Sequence, residues 1–127
     1  MQINESVRYT LEIVLGVLYM IGAGFHFAYT LKHGEEFYSS FANKTWFAPA
    51  GWFIQKFVLP NPRIFTVTLI LFQTLVGMAL LSQGPYVGLG LLAGVAFCMY
   101  AAFVSNVPGA IVNLALAVLQ FYLASGR

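Results

Sequence analysis

The sequence predicts an all-α integral membrane protein: one domain, folded as a four-helix up-down bundle with a long, aromatic-rich first loop at the membrane interface. Two observations carry this prediction. The 127 residues are 60% hydrophobic and 8% charged, whereas a typical soluble domain is roughly 25% charged. No charged side chain occurs from Ile64 to Gly126, and a water-soluble fold would need charges over so long a stretch.

Charge and cysteine content exclude several classes of function. The net charge of +2 is too small to imply an anionic partner, and the composition excludes a soluble enzyme, a disordered chain and a nucleic-acid binder. The single cysteine, Cys98, excludes an internal disulfide, a dithiol redox motif and a cysteine-rich metal site. No nucleophile constellation or phosphate-binding loop is recognisable, which argues against hydrolysis and phosphoryl transfer.

Four segments approach the length of about 20 apolar residues that a helix needs to cross a bilayer. The first is interrupted by Glu12 and His26 and lacks a clear small-residue cleavage site, which argues against a cleaved signal peptide. A turn at Gly84 and Pro85 separates the second from the third. Pro108 fits the first turn of the fourth, where a missing N–H costs nothing. The predicted spans are about 11–31, 64–81, 87–104 and 109–124.

The first connection, residues 32–63, is far longer than the other two and is rich in aromatic side chains. It contains both tryptophans, and Trp and Tyr favour the membrane–water boundary because one end of the ring is apolar and the other is polar. We expect one or two short helices on the interface, covering one end of the bundle. Three interpretations stay open: interfacial anchoring, a lid over a lipid- or quinone-sized pocket, and a surface for partner docking. The residues of this interface or lid are Phe37, Tyr38, Phe41, Trp46, Trp52 and Phe53.

The distribution of basic residues predicts the orientation in the membrane. Four basic side chains lie on the side of the first loop and two on the side of the termini, which by the positive-inside rule places the first loop in the cytoplasm. The residues are Lys32, Lys44, Lys56 and Arg63 on the first side, and Arg8 and Arg127 on the second.

A layer of polar side chains lies within the predicted spans, where such groups are costly and therefore functional candidates. His26 and Asn113 each lie five residues from the end of a span or from its leading proline, which corresponds to about 7–8 Å of helical rise. Tyr100 reaches a similar layer and Gln73 lies deeper. These four residues predict a small cavity that binds a quinone head group or another small polar ligand. The alternative is a set of interhelical hydrogen bonds that fix helix register.

The two histidines do not suggest a metal or haem site. His26 and His33 are seven residues apart, about 10.5 Å along a helix axis, which is unsuitable for holding one haem between them. His26 and Cys98 alone supply too few ligands for a metal ion. The sequence therefore predicts no metal.

Two further features concern helix packing. Gly90 and Gly94 form a small-xxx-small pair, which predicts close contact either within the chain or with a second copy or partner helix. Glu12 is interpreted as an interfacial residue paired with Arg8 one turn earlier. A proton relay between Glu12 and Gln120 is the alternative.

Three stretches of the sequence carry a family resemblance: VLYMIGAGFHFAY in the first span, ILFQTLVGMALLSQG in the second and VNLALAVLQ in the fourth. With them the chain resembles the DoxX-like family of small four-helix membrane proteins over about residues 11–123. Many members of the family carry a lysine near the position of His26, an acidic residue at that of Gln73 and an asparagine at that of Asn113. This chain keeps the asparagine and has neutral groups at the other two positions.

The resemblance implies a role in quinone-coupled oxidation or in membrane oxidoreductase complexes. We expect a small accessory subunit of a redox or respiratory membrane complex, with no catalytic residue and no cofactor beyond a bound quinone or lipid. The alternatives are a quinone- or lipid-linked oxidoreductase with His26 as proton carrier, and a small oligomeric transporter. The expected partners are membrane lipids and another protein or a second copy of the chain, not nucleic acid. The expected location is the bacterial or archaeal cytoplasmic membrane.

Overall fold

The computed structural model describes residues 3–127, and this part of the chain is helical, without strands. Two short π-helical segments, His26–Thr30 and Ile54–Val58, interrupt the α-helical stretches. The α-helices are α1 (Glu5–Phe25), α2 (Leu31–Lys44), α3 (Ala48–Phe53), α4 (Pro62–Ser82), α5 (Val87–Val104) and α6 (Val107–Ser125).

Four helical stretches are long and apolar enough to cross a membrane: the continuous stretch Glu5–Lys44, and α4, α5 and α6. The prediction of an all-helical chain with four such helices is confirmed. Many large apolar side chains on these helices face outward, such as Phe27 at 68% and Val118 at 70% exposure. Outward apolar surface of this kind is the surface that lipid tails cover, so the helices are consistent with an integral membrane protein.

The first helix is longer than the predicted span at both ends. It begins at Glu5, where the side chain of Asn4 accepts a hydrogen bond from the Val7 backbone N–H at 2.8 Å and so caps a free helical donor. It also continues past Leu31 through the π-helical segment into α2. A kink at His33, with φ −122° and ψ 32°, turns α2 so that it packs on α4. The first half of the predicted loop is therefore a bent extension of the first helix.

The second half of the loop folds back under α2. Gly51 allows the close approach, because a Cβ there would lie 2.9 Å from the backbone oxygen of Ala42. Tyr38, Ile54 and Val58 form a buried cluster at this end of the molecule. The second half of the loop is thus helical and packs against α2 through this cluster.

Prolines and polar caps set the starts of the later helices. Pro62 opens α4, and Pro108 lies in the first turn of α6 as predicted. The Asn106 side chain accepts a hydrogen bond from the Gly109 N–H at 3.0 Å. Gln83 ends α4 in the left-handed conformation, at φ 52°, and the turn at Gly84 and Pro85 leads into α5.

The long helices pack in chain order: α1 on α4, α4 on α5, and α5 on α6. A Cβ on Gly90 would lie 3.0 Å from that of Ala79, so this glycine allows α5 to approach α4. Helices α1 and α6 approach less closely and are joined by side chains, among them the hydrogen bond from Tyr19 to Gln120. The buried apolar core between the helices consists of Leu15, Tyr19, Val76, Leu80, Val87, Leu91 and Leu123.

Replacing Trp46 with phenylalanine is expected to destabilise the protein by about 1 kcal/mol, because the indole N–H donates to the Ala102 carbonyl at 2.6 Å and phenylalanine leaves that carbonyl without its donor. The matched control is Trp52→Phe. Trp52 is 55% exposed and its N–H bonds to no other described residue. Unfolding in mixed detergent micelles measures both. Equal losses for the two variants would show that Trp46 contributes only its ring.

Candidate functional site

A cavity of about 170 Å³ lies beneath α2, and we call it the upper cavity. Its wall includes three of the four polar residues that the sequence singled out. The fourth, Gln73, lines a separate cavity deeper between the long helices. The polar residues of the upper cavity are His26, Tyr100, Asn113 and Ser105, and its aromatic residues are Phe37, Tyr38, Phe41, Phe97 and Tyr100.

His26 opens the π-helical segment of the first helix and is 8% exposed. Its Nδ1 lies 2.9 Å from Oγ1 of Thr30, one turn later. The ring of Phe37 meets the imidazole edge to face at 5.5 Å. Because Nδ1 is hydrogen bonded to Thr30, Nε2 is the ring nitrogen that can form a hydrogen bond with a ligand. Short π-helical stretches occur frequently at functional sites, and here the widened turn carries the histidine.

Tyr100 and Asn113 reach the same cavity from α5 and α6. The Asn113 amide donates to the Gly109 carbonyl at 2.8 Å, which fixes the side chain in position. Among the described residues, nothing hydrogen bonds to the Tyr100 hydroxyl, to Oδ1 of Asn113 or to Nε2 of His26. Three polar groups thus line one largely aromatic cavity with hydrogen-bonding capacity that the chain itself does not use.

The predicted interface and lid residues separate into two groups. Phe37, Tyr38 and Phe41 line the upper cavity and cover it. The Tyr38 hydroxyl lies 2.7 Å from Oγ1 of Thr66, which ties α2 to α4. The other three residues lie outside the cavity with large exposed fractions, Trp46 at 47%, Trp52 at 55% and Phe53 at 40%. The two groups therefore have different surroundings: the first lines the cavity, and the second is exposed outside it.

Gln73 lines what we call the lower cavity, of about 140 Å³, between α1, α4, α5 and α6. Phe97 and Asn113 line both cavities, so the two are neighbours. Gln73 is 6% exposed, and its Oε1 is buried without a hydrogen-bond partner among the described residues. Buried polar atoms are nearly always hydrogen bonded, so this oxygen is an exception that calls for an explanation.

A hydrogen-bonded cluster beside the lower cavity was not predicted from the sequence. The Tyr19 hydroxyl donates to Oε1 of Gln120 at 2.7 Å. The Gln120 amide in turn donates to the sulfur of Cys98 at 3.2 Å and to the Leu116 carbonyl at 3.1 Å. The only sequence signal for Tyr19 was its position seven residues before His26, on the same helical face. Gly94 leaves room for the cluster, since a Cβ there would overlap Gln120 and lie 2.6 Å from the Tyr19 hydroxyl.

Glu12 is fully buried, whereas the sequence suggested an interfacial position. Arg8 does lie one turn away, with its guanidinium 3.8 Å from the carboxylate. The closer partner is Arg127, whose Nε donates to Glu12 at 3.1 Å and whose Nη2 donates to the second oxygen. Arg127, which follows the end of α6, pairs with Glu12 in its buried position. Gln120 bonds to Tyr19 and Cys98, and it makes no hydrogen bond to Glu12 in the described structure.

Over residues 3–127, no three His, Cys, Asp or Glu side chains lie close enough together to hold a metal ion. Comparison of the chain with family models, with curated proteins and with solved structures gives no match. The resemblance to the DoxX-like family therefore rests on the three sequence stretches alone and stays a prediction.

Proposed function

We propose that the chain is a DoxX-like four-helix up-down bundle that binds a quinone, or a lipid-soluble molecule of similar size, in the upper cavity. One observation carries the proposal: His26, Tyr100 and Asn113 line a single cavity beneath aromatic side chains, and each has a polar atom that no described residue engages. No catalytic residue is assigned, and binding is the whole of the proposed activity.

The connections between the long helices support the proposed up-down topology. Helices α4 and α5 are joined by residues 83–86, and α5 and α6 by residues 105–106. Links this short join antiparallel neighbours, and α4, α5 and α6 are neighbours in that order. With α1 packed on α4, an up-down arrangement is the simplest that satisfies these contacts.

The chemistry of the upper cavity suits a planar ring with polar substituents. A cavity of about 170 Å³ is smaller than the roughly 300–1,000 Å³ of pockets that enclose drug-sized ligands, so it fits a single-ring head group. Phe37 and Phe41 provide aromatic faces. The Tyr100 hydroxyl donates or accepts, the Asn113 oxygen accepts, and His26 Nε2 does either according to its tautomer. Quinone carbonyls need donors, which the tyrosine and the histidine supply.

A second candidate function is the accessory subunit of a redox membrane complex, which we expect in the bacterial or archaeal cytoplasmic membrane. The observation in its favour is the exposed aromatic surface of Trp52, Phe53 and Phe57, with the Lys56 ammonium 5.0 Å from the Trp52 ring centre. Exposed aromatic clusters suit a partner as well as lipid headgroups. Native mass spectrometry of the gently extracted protein separates the two roles: bound small molecules support the first, and co-eluting redox subunits the second.

Replacing His26 with alanine is expected to reduce the co-purified ligand by at least about fivefold, because one buried polar contact to a ligand contributes about 1–3 kcal/mol. The ligand is measured by solvent extraction of the purified protein followed by mass spectrometry. The control is His33→Ala, since His33 is exposed and does not line the cavity. Equal retention in both variants, or no small molecule on the unaltered protein, would contradict the proposal.

A further inference from the structure

We infer that the lower cavity is a second binding subsite, at which Gln73 accepts a hydrogen bond from a ring hydroxyl of the ligand. The inference rests on the proposed function and narrows it. The preferred ligand becomes a lipid-soluble phenol or hydroquinone, with an O–H to donate, rather than a molecule that carries carbonyl oxygens only. The subsite is a largely apolar space whose polar-atom-bearing lining residues are Tyr19, Gln73, Cys98, Asn113 and Gln120.

The unpartnered oxygen of Gln73 is the first observation. The side chain is more than nine-tenths buried, and Oε1 has no partner among the described residues. A buried acceptor without a donor is costly, and within a membrane no bulk water is present to supply one. A ligand in the cavity that carries a hydrogen-bond donor can donate to this oxygen and so bind there.

The donors of Tyr19 and Gln120 beside Gln73 are already used, which is the second observation. The Tyr19 hydroxyl proton goes to Gln120. Both amide protons of Gln120 are engaged, one by Cys98 and one by the Leu116 carbonyl. The Asn113 amide donates to the Gly109 carbonyl, and its Oδ1 accepts no hydrogen bond from the described residues. Gln73 itself offers an unpartnered acceptor, Oε1, and a donor, Nε2, that makes no hydrogen bond among the described residues. A hydroxyl group can both donate and accept, whereas a carbonyl can only accept, so a hydroxyl group fits the lower cavity better.

Gly22 holds the Gln73 amide in place. A Cβ at Gly22 would lie 3.0 Å from Oε1 and 3.1 Å from Nε2 of Gln73. The amide thus lies directly against the backbone of α1, in space that only glycine leaves. Since the helix backbone limits its movement on that side, the amide is pre-positioned, and adding a single methyl at Gly22 would displace it.

The two cavities share part of their walls on α5 and α6. Phe97 and Asn113 line both, so one ring with substituents at opposite ends spans from His26 towards Gln73. Leu18, which lines the lower cavity, is 50% exposed on the outer surface. An apolar tail can leave the site there and extend into lipid, which is why we assign a lipid-soluble ligand.

The test compares two probes that differ only in the hydroxyl: 4-pentylphenol and its methyl ether, 4-pentylanisole. Each is equilibrated with the full-length protein in lipid nanodiscs, and binding is counted above that of empty nanodiscs. The unaltered protein is expected to bind the phenol about tenfold more tightly than the ether. Gln73→Leu is expected to remove this preference, and so is Gly22→Ala, which keeps the glutamine but displaces its amide.

The matched control is Gln55→Leu, because Gln55 is exposed and lines neither cavity; it should keep the full preference. Equal binding of phenol and ether by the unaltered protein would overturn the inference and would mean that water alone satisfies Gln73. A preference that survives in both Gln73→Leu and Gly22→Ala would also overturn it. In either case binding itself stands, whereas failure of the proposed function appears as no binding of either probe.

Discussion

Replacing Gly94 with alanine is expected to destabilise the protein by about 3 kcal/mol. The new methyl group would overlap Oε1 of Gln120 and lie 2.6 Å from the Tyr19 hydroxyl. It would therefore have to break the buried hydrogen bond between those side chains, which is 2.7 Å long. Overpacking costs about 1–3 kcal/mol, and leaving buried hydrogen-bonding groups unpaired adds about as much again. Unfolding in mixed detergent micelles measures the loss.

The control for Gly94 is the same substitution at Gly24, whose added Cβ would have no atom within 4 Å. Because alanine favours helix more than glycine by about 1 kcal/mol, Gly24→Ala should be neutral or stabilising. Cys98 gives a second measurement, since it is the single cysteine, is buried and contacts Gln120. Its reaction with a thiol reagent should become faster in Gly94→Ala alone. Equal stabilities and labelling rates for the two variants would refute the steric argument.

Composition was sufficient to predict the helices but not the course of the first loop. Long apolar runs have few alternatives in a bilayer, and Pro108 marked the start of α6 as expected. The continuation of the first helix to Lys44 was missed because charged residues such as Glu35 and Glu36 end the apolar run without ending the helix. Hydropathy indicates where a helix leaves the membrane, and only local backbone preferences and packing indicate where it stops.

The sequence predicted how deep in the membrane the residues of the candidate site lie. It did not predict which side of each helix faces the cavity. Counting residues from the ends of the spans put His26 and Asn113 in one layer, and both line the upper cavity. The same counting cannot tell which way a helix faces. Gln73 therefore appeared as a deeper member of one site, although it lines a separate cavity. The bond between Tyr19 and Gln120 joins residues 101 positions apart, and no local pattern reports a contact over that distance.

Replacing Arg127 with methionine is expected to destabilise the protein by about 3 kcal/mol. Glu12 is fully buried, and Arg127 gives it two hydrogen bonds in addition to opposite charge. Removing one member of a buried ion pair leaves an uncompensated charge, which costs about 3–5 kcal/mol. The lower end of that range applies here, because Arg8 remains 3.8 Å from the carboxylate and the Arg127 side chain is 31% exposed.

The double variant Glu12→Met with Arg127→Met tests whether the ion pair stabilises the fold more than two apolar side chains would. The alternative is that Arg127 only offsets the cost of burying the Glu12 carboxylate. Replacing both members of a buried pair by apolar side chains is often neutral or stabilising, so the double variant should recover most of the stability that Arg127→Met loses. Arg63→Met, at an exposed arginine near the start of α4, controls for the general effect of the substitution and should be close to neutral. If the double variant is instead no more stable than Arg127→Met, the intact ion pair stabilises the fold more than two apolar side chains do, and it is a net source of stability. The attraction between Glu12 and Arg127 would then outweigh the cost of removing both charges from water, which is the opposite of what we expect.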